Sequence, residues 1–154
     1  MAIREVFVKF DEGDIDLAAE LKIDRNNLSE EMEEQASRYI YWAVLAEESA
    51  ANVNRAKMHL EILEGELIKE YRTNLEREAS GRITDTMVGA AVHSDKRYIR
   101  AREDMVDLQR HAGVMRSAER AFAMRKDALI QVAWLAKMEY GAQTQINREK
   151  AERT

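Results

Sequence analysis

Four arginines on one predicted helix have the chemistry and spacing to contact phosphate groups: Arg97, Arg100, Arg116 and Arg120. Arg116 and Arg120 are four residues apart and are therefore neighbours on a helix flank, with Arg102 on the same side in heptad register. Arg97 and Arg100 begin the helix near Tyr98, whose ring could stack on a nucleic-acid base or belong to the core. A helix with this pattern can contact nucleic-acid phosphates. The alternative is that these arginines pair with the acidic first half of the chain, at about 0–1 kcal/mol for each exposed pair.

The charge of the chain is unevenly distributed. The formal net charge is −5, but residues 1–93 carry 11 Lys/Arg against 20 Asp/Glu, whereas residues 94–126 carry 9 against 5. Ten of the acids lie within residues 11–34. An acidic front joined to a basic middle can serve partner choice or nucleic-acid contact, and a solvated surface with partly paired charges would give the same pattern.

The residues that usually perform catalysis or bind metals are sparse. The chain has no cysteine, and its histidines are His59, His93 and His111. None of them follows a glutamate at the Glu-x-x-His spacing of di-iron helical bundles. Acids such as Glu61 and Glu64 fit solvated helix faces, and no glycine-rich phosphate loop or nucleophile elbow is present. We therefore expect no enzyme activity, no metal and no cofactor.

The composition favours long helices, because the chain has no proline and few glycines. The first long helix is predicted to start near Asn27 or Ser29 and to stop at Gly81. One apolar face recurs along it at steps of three or four residues, which is the helical period. That face consists of Trp42, Leu45, Ser49, Val53, Ala56, Leu60, Leu63, Leu67, Tyr71 and Leu75.

A short helix at 84–92, capped by Thr84, is predicted to connect to a second long helix capped by Ser94. A heptad row runs through the second helix, which is typical of coiled-coil packing. Its members are Ala101, Leu108, Met115, Phe122, Leu129 and Ala136. The companion row holds Tyr98, Met105, Ala112, Ala133 and Tyr140, together with the polar Glu119 and Lys126. The sequence thus predicts an all-α fold, a long antiparallel helical hairpin with a short connector helix.

The ends of the chain are predicted to lie outside this hairpin. We expect an acidic N-terminal segment at 1–28, the hairpin at 29–147 and a frayed tail at 148–154. Residues 3–10 form a strand-like segment without a partner inside the chain, and residues 14–22 fit a short helix. Several apolar residues off the two main rows need another surface, which predicts a homo-oligomer. They are Tyr39, Ile40, Ile62, Ile68, Val132 and Trp134.

Two stretches, 33–48 and 93–141, resemble the UvsY-like recombination mediators of tailed phages. The first contains a Tyr-x-x-Trp pair, Tyr39 and Trp42, which opens the first long helix. A Val-x-x-Asp-Lys element at 92–96 opens the second helix, and the basic-aromatic cluster at 121–131 precedes a closing Met-Glu-Tyr-Gly. The resemblance covers roughly residues 35–141. It implies a helical protein that forms a homo-oligomeric ring, binds single-stranded DNA, and contacts both a recombinase and a single-strand-binding protein.

The chain departs from the family at one motif. Family members carry a Lys-x-Arg pair implicated in DNA binding about two dozen residues after the Trp, where this sequence has Gly65 and Leu67. The nearest basic residues are Arg55, Lys57, Lys69 and Arg72. We regard them as further candidates for DNA contact, beside the four arginines of the second helix.

The expected function is non-enzymatic: mediation of recombination by binding single-stranded DNA and helping to load a recombinase. The alternative is a phage coiled-coil scaffold or anti-defence adaptor that acts only through protein contacts. Without cysteines, a long apolar run or a signal-peptide pattern, we expect a cytoplasmic protein without membrane contact.

Overall fold

The computed structural model describes residues 7–10, 13–78 and 82–152. In chain order its elements are β1 (Phe7–Phe10), β2 (Gly13–Asp16), α1 (Leu17–Glu20), α2 (Leu28–Glu78), α3 (Asp85–Ser94) and α4 (Lys96–Glu152). The long helix α2 packs against the long helix α4 in antiparallel orientation, and α3 is the short helix between them. The predicted all-α helical hairpin is therefore confirmed.

The strand predicted near the N-terminus is confirmed for residues 7–10, whereas residues 3–6 lie outside the described part. Its predicted lack of a partner is wrong, because β1 pairs antiparallel with β2, with Phe7 opposite Asp16 and Phe10 opposite Gly13. The helix predicted at 14–22 shrinks to Leu17–Glu20. Asp16 sets this boundary, since its backbone is extended and its carboxylate accepts a 2.9 Å hydrogen bond from the Ala18 N–H.

The first long helix begins where the sequence predicts, at Leu28, between the two proposed starts. Glu30 and Glu31 lie in its first turn, where carboxylates interact favourably with the helix dipole. The helix continues to Glu78, and the predicted stop at Gly81 lies outside the described residues. All ten positions of the predicted apolar face of α2 are buried or half-buried, so that face is confirmed.

The junction between α3 and α4 confirms one predicted cap and corrects the other. Thr84 caps α3 by accepting a hydrogen bond from the Met87 N–H. Ser94 does not cap α4: it is the last residue of α3, and its hydroxyl donates to the Ala90 carbonyl at 2.8 Å. Asp95 has the extended backbone that a cap requires (φ −71°, ψ 130°), and its carboxylate accepts from the Arg97 N–H at 2.7 Å.

The chain divides into two compact units, a first unit of residues 1–44 and 116–154 and a second unit of residues 45–115. In the first unit the rings of Trp42 and Phe122 stack at 5.6 Å with an angle of 14° between their planes. In the second unit α3 contributes Val88 and Val92 to a buried cluster with Leu60, Leu67 and Tyr98. Each unit therefore has its own apolar core between α2 and α4 residues.

The main heptad row of α4 is confirmed, because Met115, Phe122 and Leu129 are fully buried. The companion row is only partly confirmed: Lys126 and Tyr140 are exposed, and Arg125 is buried one position before Lys126. The buried positions of α4 in this region are 112, 115, 118, 122, 125 and 129, so the buried row advances by three residues twice in succession before steps of four and three alternate again. The companion position thereby moves from the predicted row to the preceding residue, and the prediction that Lys126 lies in the packed row is wrong.

Helix α4 is longer than the sequence predicts. It extends to Glu152, into the part of the chain that the sequence predicts as a frayed tail at 148–154.

Five of the apolar residues off the main rows are 36–61% exposed, namely Tyr39, Ile40, Ile62, Ile68 and Trp134, while Val132 is half-buried. Self-association through these residues stays a prediction. No described helix is both long and apolar enough to cross a membrane.

The core of the first unit predicts a large difference between two neighbouring residues. Phe122→Ala should lower the free energy of unfolding by about 3–5 kcal/mol, since it removes a fully buried ring that stacks on Trp42. Met124→Ala is the matched control, because Met124 is 72% exposed and should change stability by no more than about 0.5 kcal/mol. Urea unfolding measures both values. Equal losses in the two variants would contradict this assignment of the core.

Candidate nucleic-acid interface

Arg125, in the middle of the basic stretch of α4, is a structural residue. Its side chain is only 2% exposed. The guanidinium donates to the carbonyl oxygens of Leu21 and Lys22 at 3.2 and 3.0 Å, and to Gln35 Oε1 at 2.6 Å. It also forms an ion pair with Glu31. Arg125 therefore joins α4 to the first turns of α2 and to the segment after α1, and it is not available to a ligand.

The partners of Arg125 are themselves held in place. Gln35 donates from Nε2 to the Phe122 carbonyl at 2.8 Å, so its amide bridges the two helices. Burial raises the pKa of Glu31, but the Asp24 N–H at 3.0 Å and the Arg125 guanidinium together bring that pKa below its ordinary value. Glu31 is accordingly an ionised carboxylate at neutral pH, and the network is a satisfied buried ion pair.

Arg116 and Arg120 have the opposite character. Both are exposed on α4, one helical turn apart. Within 7–10, 13–78 and 82–152, neither guanidinium has a hydrogen-bond or ion-pair partner. Both belong to the four arginines predicted to contact phosphate, and both lie in the first unit. No carboxylate among the described residues balances their charge.

Arg97 and Arg100, in the second unit, differ in their surroundings. The Arg97 guanidinium contacts Asp95 at 2.8 Å and Glu70 at 3.1 Å, and these two carboxylates raise the pKa of Arg97 above its ordinary value. In turn Arg97 holds the pKa of Asp95 well below its ordinary range, with a further hydrogen bond from the Tyr71 hydroxyl at 3.0 Å. Arg100 is exposed and has no such partner among the residues described. The charge of Arg97 is therefore largely neutralised, and that of Arg100 is not.

The four basic residues of α2 are all exposed, but the fold does not gather them into one site. Arg55 donates to Asn52 Oδ1 at 2.9 Å, and Arg72 forms an ion pair with Asp85. Lys69 and Arg72 are three residues apart and share a helix flank, whereas Arg55 and Lys57 are two apart and point to different sides. These residues form a weaker candidate for phosphate contact than Arg116 and Arg120.

Tyr98 belongs to the core, as its place in the companion row of α4 predicts, and the alternative in which its ring stacks on a base is wrong. Local patterns of the sequence give His93 no role. Tyr98 is only 6% exposed, and the His93 ring covers it at a centroid distance of 5.2 Å with 29° between the planes. Arg102 Nη1 donates to the Tyr98 hydroxyl at 3.4 Å. The ring that faces solvent is therefore that of His93. The sequence carries only a weak signal for this contact, because it depends on the backbone direction at Asp95.

These features define the described chain as an all-α helical hairpin with exposed, unpaired arginines on its second long helix. The described residues contain no group of three or more His, Cys, Asp or Glu side chains that could hold a metal ion. Comparison of the chain with protein-family models, with curated proteins and with solved structures finds no match.

The buried and the exposed arginines of α4 predict effects of very different size on stability. Arg125→Gln leaves the Glu31 carboxylate buried without its cation, which should cost about 3–5 kcal/mol of unfolding free energy at pH 7. Arg120→Gln, the matched control on the same helix, should change it by no more than about 0.5 kcal/mol. Denaturant unfolding with circular dichroism measures both.

The native chain and Arg125→Gln should also differ in how their stability depends on pH. Because the folded-state pKa of Glu31 is lowered from 4.5, the stabilisation that it contributes is present above about pH 4.5 and is lost as the pH falls through the folded-state value. The stability gap between the native chain and Arg125→Gln should therefore narrow below about pH 4.5. A gap that stays constant down to pH 3 would show that the ion pair is not its source.

Proposed function

We propose that this protein is a non-enzymatic recombination mediator that binds single-stranded DNA and helps to load a recombinase onto DNA covered by single-strand-binding protein. The observation that carries the proposal is the pair Arg116 and Arg120. Both side chains are exposed and have no partner among the described residues, whereas the nearby Arg125 is buried in an ion pair with Glu31. Exposed arginines without carboxylate partners are the groups that release counterions when they neutralise phosphates. The resemblance of 35–141 to UvsY-like mediators supports the same function.

Two arginines in one chain give only weak binding, so the proposal includes self-association. A homo-oligomeric ring would repeat Arg116 and Arg120 around its axis, and the contacts of the copies with one strand would add through multivalency. The exposed apolar side chains of both units support this step, among them Ile40 and Trp134 of the first unit, each 61% exposed, and Ile62 of the second unit, 56% exposed. Large exposed apolar groups of this kind are typical of surfaces that pack against another chain.

Contacts with the recombinase and the single-strand-binding protein rest on the resemblance and on the charge distribution. The acidic segment 11–34 contacts the basic stretch 94–126 at the buried Glu31–Arg125 pair, whereas Arg116 and Arg120 have no acid of that segment as a partner among the described residues. A protein that must hold DNA and other proteins at once needs surfaces of different charge, because an acidic surface repels the strand while a basic one attracts it.

A second candidate function is a coiled-coil scaffold or anti-defence adaptor that acts through protein contacts alone. It is favoured by Met58 and Ile62 in the second unit, which are 60% and 56% exposed on the same flank of α2. Under this alternative the arginines of α4 would only keep the surface solvated. DNA binding and recombinase loading distinguish the two functions.

The mediator function predicts a specific loss in the double variant Arg116→Gln with Arg120→Gln. Its affinity for oligo-dT should fall, and the slope of log K against log salt should flatten by up to about 1.4 for each chain in contact with the strand, since two phosphate contacts are removed. Helicity and oligomer size should stay unchanged, because glutamine has nearly the helix propensity of arginine. Fluorescence anisotropy at several salt concentrations measures the affinity.

The control is Arg110→Gln with Lys126→Gln, which removes two positive charges from α4 that already lie 3.9 Å from acids, Asp107 and Asp127 respectively. It should leave affinity and slope close to those of the native chain. In strand exchange on DNA coated with single-strand-binding protein, the native chain should shorten the lag and the Arg116/Arg120 variant should not. If the native chain leaves the lag unchanged, the scaffold or adaptor function is the better one.

A further inference from the structure

The second unit contains a groove that the phosphate contacts proposed above do not use. It lies where α3 meets the first turns of α4 and has a volume of about 850 Å³. Its lining combines an aromatic stack, an arginine, two exposed aliphatic side chains and two acids. The residues are His93, Tyr98, Ile99, Arg102, Glu103, Val106 and Asp107.

The aromatic stack is open on one side. Tyr98 is buried beneath the His93 ring, and Tyr98 is the one ring within stacking distance of His93 in the part of the chain that the structure describes. The outer face of the imidazole is therefore available to a planar ligand, which would lengthen the stack from two rings to three. Histidine is among the side chains on which unpaired nucleic-acid bases stack.

Aliphatic side chains extend the apolar surface of this groove. Ile99 and Val106 are 42% and 54% exposed, and they are seven residues apart on the same flank of α4. Such exposed aliphatic groups cost free energy in water unless a ligand covers them. Next to the open face of His93 they offer contact area for the edge of a base and for its sugar.

The polar groups of the groove are of both signs. Arg102 is an exposed cation whose guanidinium is oriented by its 3.4 Å hydrogen bond to the Tyr98 hydroxyl. Glu103 and Asp107 are exposed carboxylates four residues apart, hence neighbours on the helix. A free phosphate would be attracted by the first group and repelled by the other two. A nucleotide satisfies all three groups if its phosphate lies at Arg102 and the amino group of its base lies at the acids.

We propose that this groove binds one amino-bearing purine base of a single DNA strand, with the base stacked on His93. The inference rests on the proposed function and adds a base-binding subsite to the phosphate contacts. Arg102 contacts the adjoining phosphate, and Glu103 or Asp107 accepts a hydrogen bond from the exocyclic amino group. Purines are favoured over thymine, because they offer a larger stacking face and an amino group to the carboxylates.

The test compares two substitutions of the same residue. His93→Leu keeps an apolar side chain over Tyr98 but removes the planar ring, and His93→Phe keeps a ring but removes the imidazole nitrogens. The native chain should bind oligo-dA several-fold more tightly than oligo-dT. His93→Leu should weaken binding to oligo-dA by roughly 5- to 150-fold, the usual range for loss of one stacked base, and His93→Phe should restore it.

A spectroscopic readout separates stacking from a structural role of His93. An oligonucleotide with 2-aminopurine should lose fluorescence when it binds the native chain or His93→Phe, because stacking quenches this base. It should stay bright on His93→Leu at saturating protein. Arg102→Gln is a second variant that leaves the stack intact; it should weaken binding and flatten the salt slope while the bound 2-aminopurine stays quenched.

The possible failures are distinguishable. Suppose that the native chain binds DNA and that Arg116→Gln with Arg120→Gln weakens this binding. If His93→Leu then binds oligo-dA as tightly as the native chain does, and quenches 2-aminopurine equally, the groove is not the base site. The mediator proposal stands in that case. The groove is likewise excluded as the base site if oligo-dA and oligo-dT bind equally and neither His93 variant changes that. If the native chain binds no single-stranded DNA, both proposals are overturned.

Discussion

The fold depends on one constraint: each long helix has one main apolar face, and that face leaves water by packing against the other long helix. Trp42 stacked on Phe122 represents this packing in the first unit, and Leu67 clustered with Tyr98 represents it in the second, where α3 covers part of the same core. Two helices that bury one face each leave their remaining surface in solvent, so much of the chain is available for contacts. Polar groups that enter the packed face must be fully satisfied, because an unpaired buried charge is costly.

Arg125 shows how the chain meets this condition. The 3.6-residue period brings position 125 onto the packed face of α4, and the ends of α1 and α2 provide two carbonyls, an amide and a carboxylate for its guanidinium. The hydrogen bonds that satisfy it also attach the segment after α1 to α4. Arg116 and Arg120 lie on the same helix but away from the packed face, which leaves their charge to solvent and to ligands. The same residue type therefore contributes to structure at one position and is free for recognition at another.

The sequence predicts the repetitive part of the fold well and the local junctions less well. The ten-residue apolar face of α2 and the row through Met115, Phe122 and Leu129 follow from helical periodicity, which extends over many turns. The sequence does not predict the β1–β2 pairing, because residues 14–16 look like the first turn of the helix predicted at 14–22. In the structure the backbone of Asp16 is extended and its side chain caps α1, so the helix begins only at Leu17. Asp95 rather than Ser94 caps α4, and only the backbone angles at the junction decide between these neighbours.

In the candidate site, too, the sequence predicts the features that depend on helical periodicity and misses those that depend on contacts between helices. The sequence identifies a basic helix, and it places Arg116 and Arg120 on one flank. It does not reveal that Arg97 is held by Asp95 and Glu70, because Glu70 lies on the other long helix and is 27 residues away along the chain. It also does not reveal the His93–Tyr98 stack, which depends on the angle at which α3 meets α4. Long-range contacts of this kind set the availability of a charged or aromatic side chain, and local patterns do not encode them.

The central claim that we propose is that Arg125 of α4 is a structural residue, whereas Arg116 and Arg120 contact single-stranded DNA. Arginine-specific modification with phenylglyoxal, read by mass spectrometry of peptides with and without a bound oligonucleotide, tests this division directly. We expect Arg116 and Arg120 to react in the free protein and to be protected by the oligonucleotide, while Arg125 is unreactive in both states. Saturation with DNA that leaves the reactivity of Arg116 and Arg120 unchanged would contradict the claim, as would rapid modification of Arg125 in the folded protein.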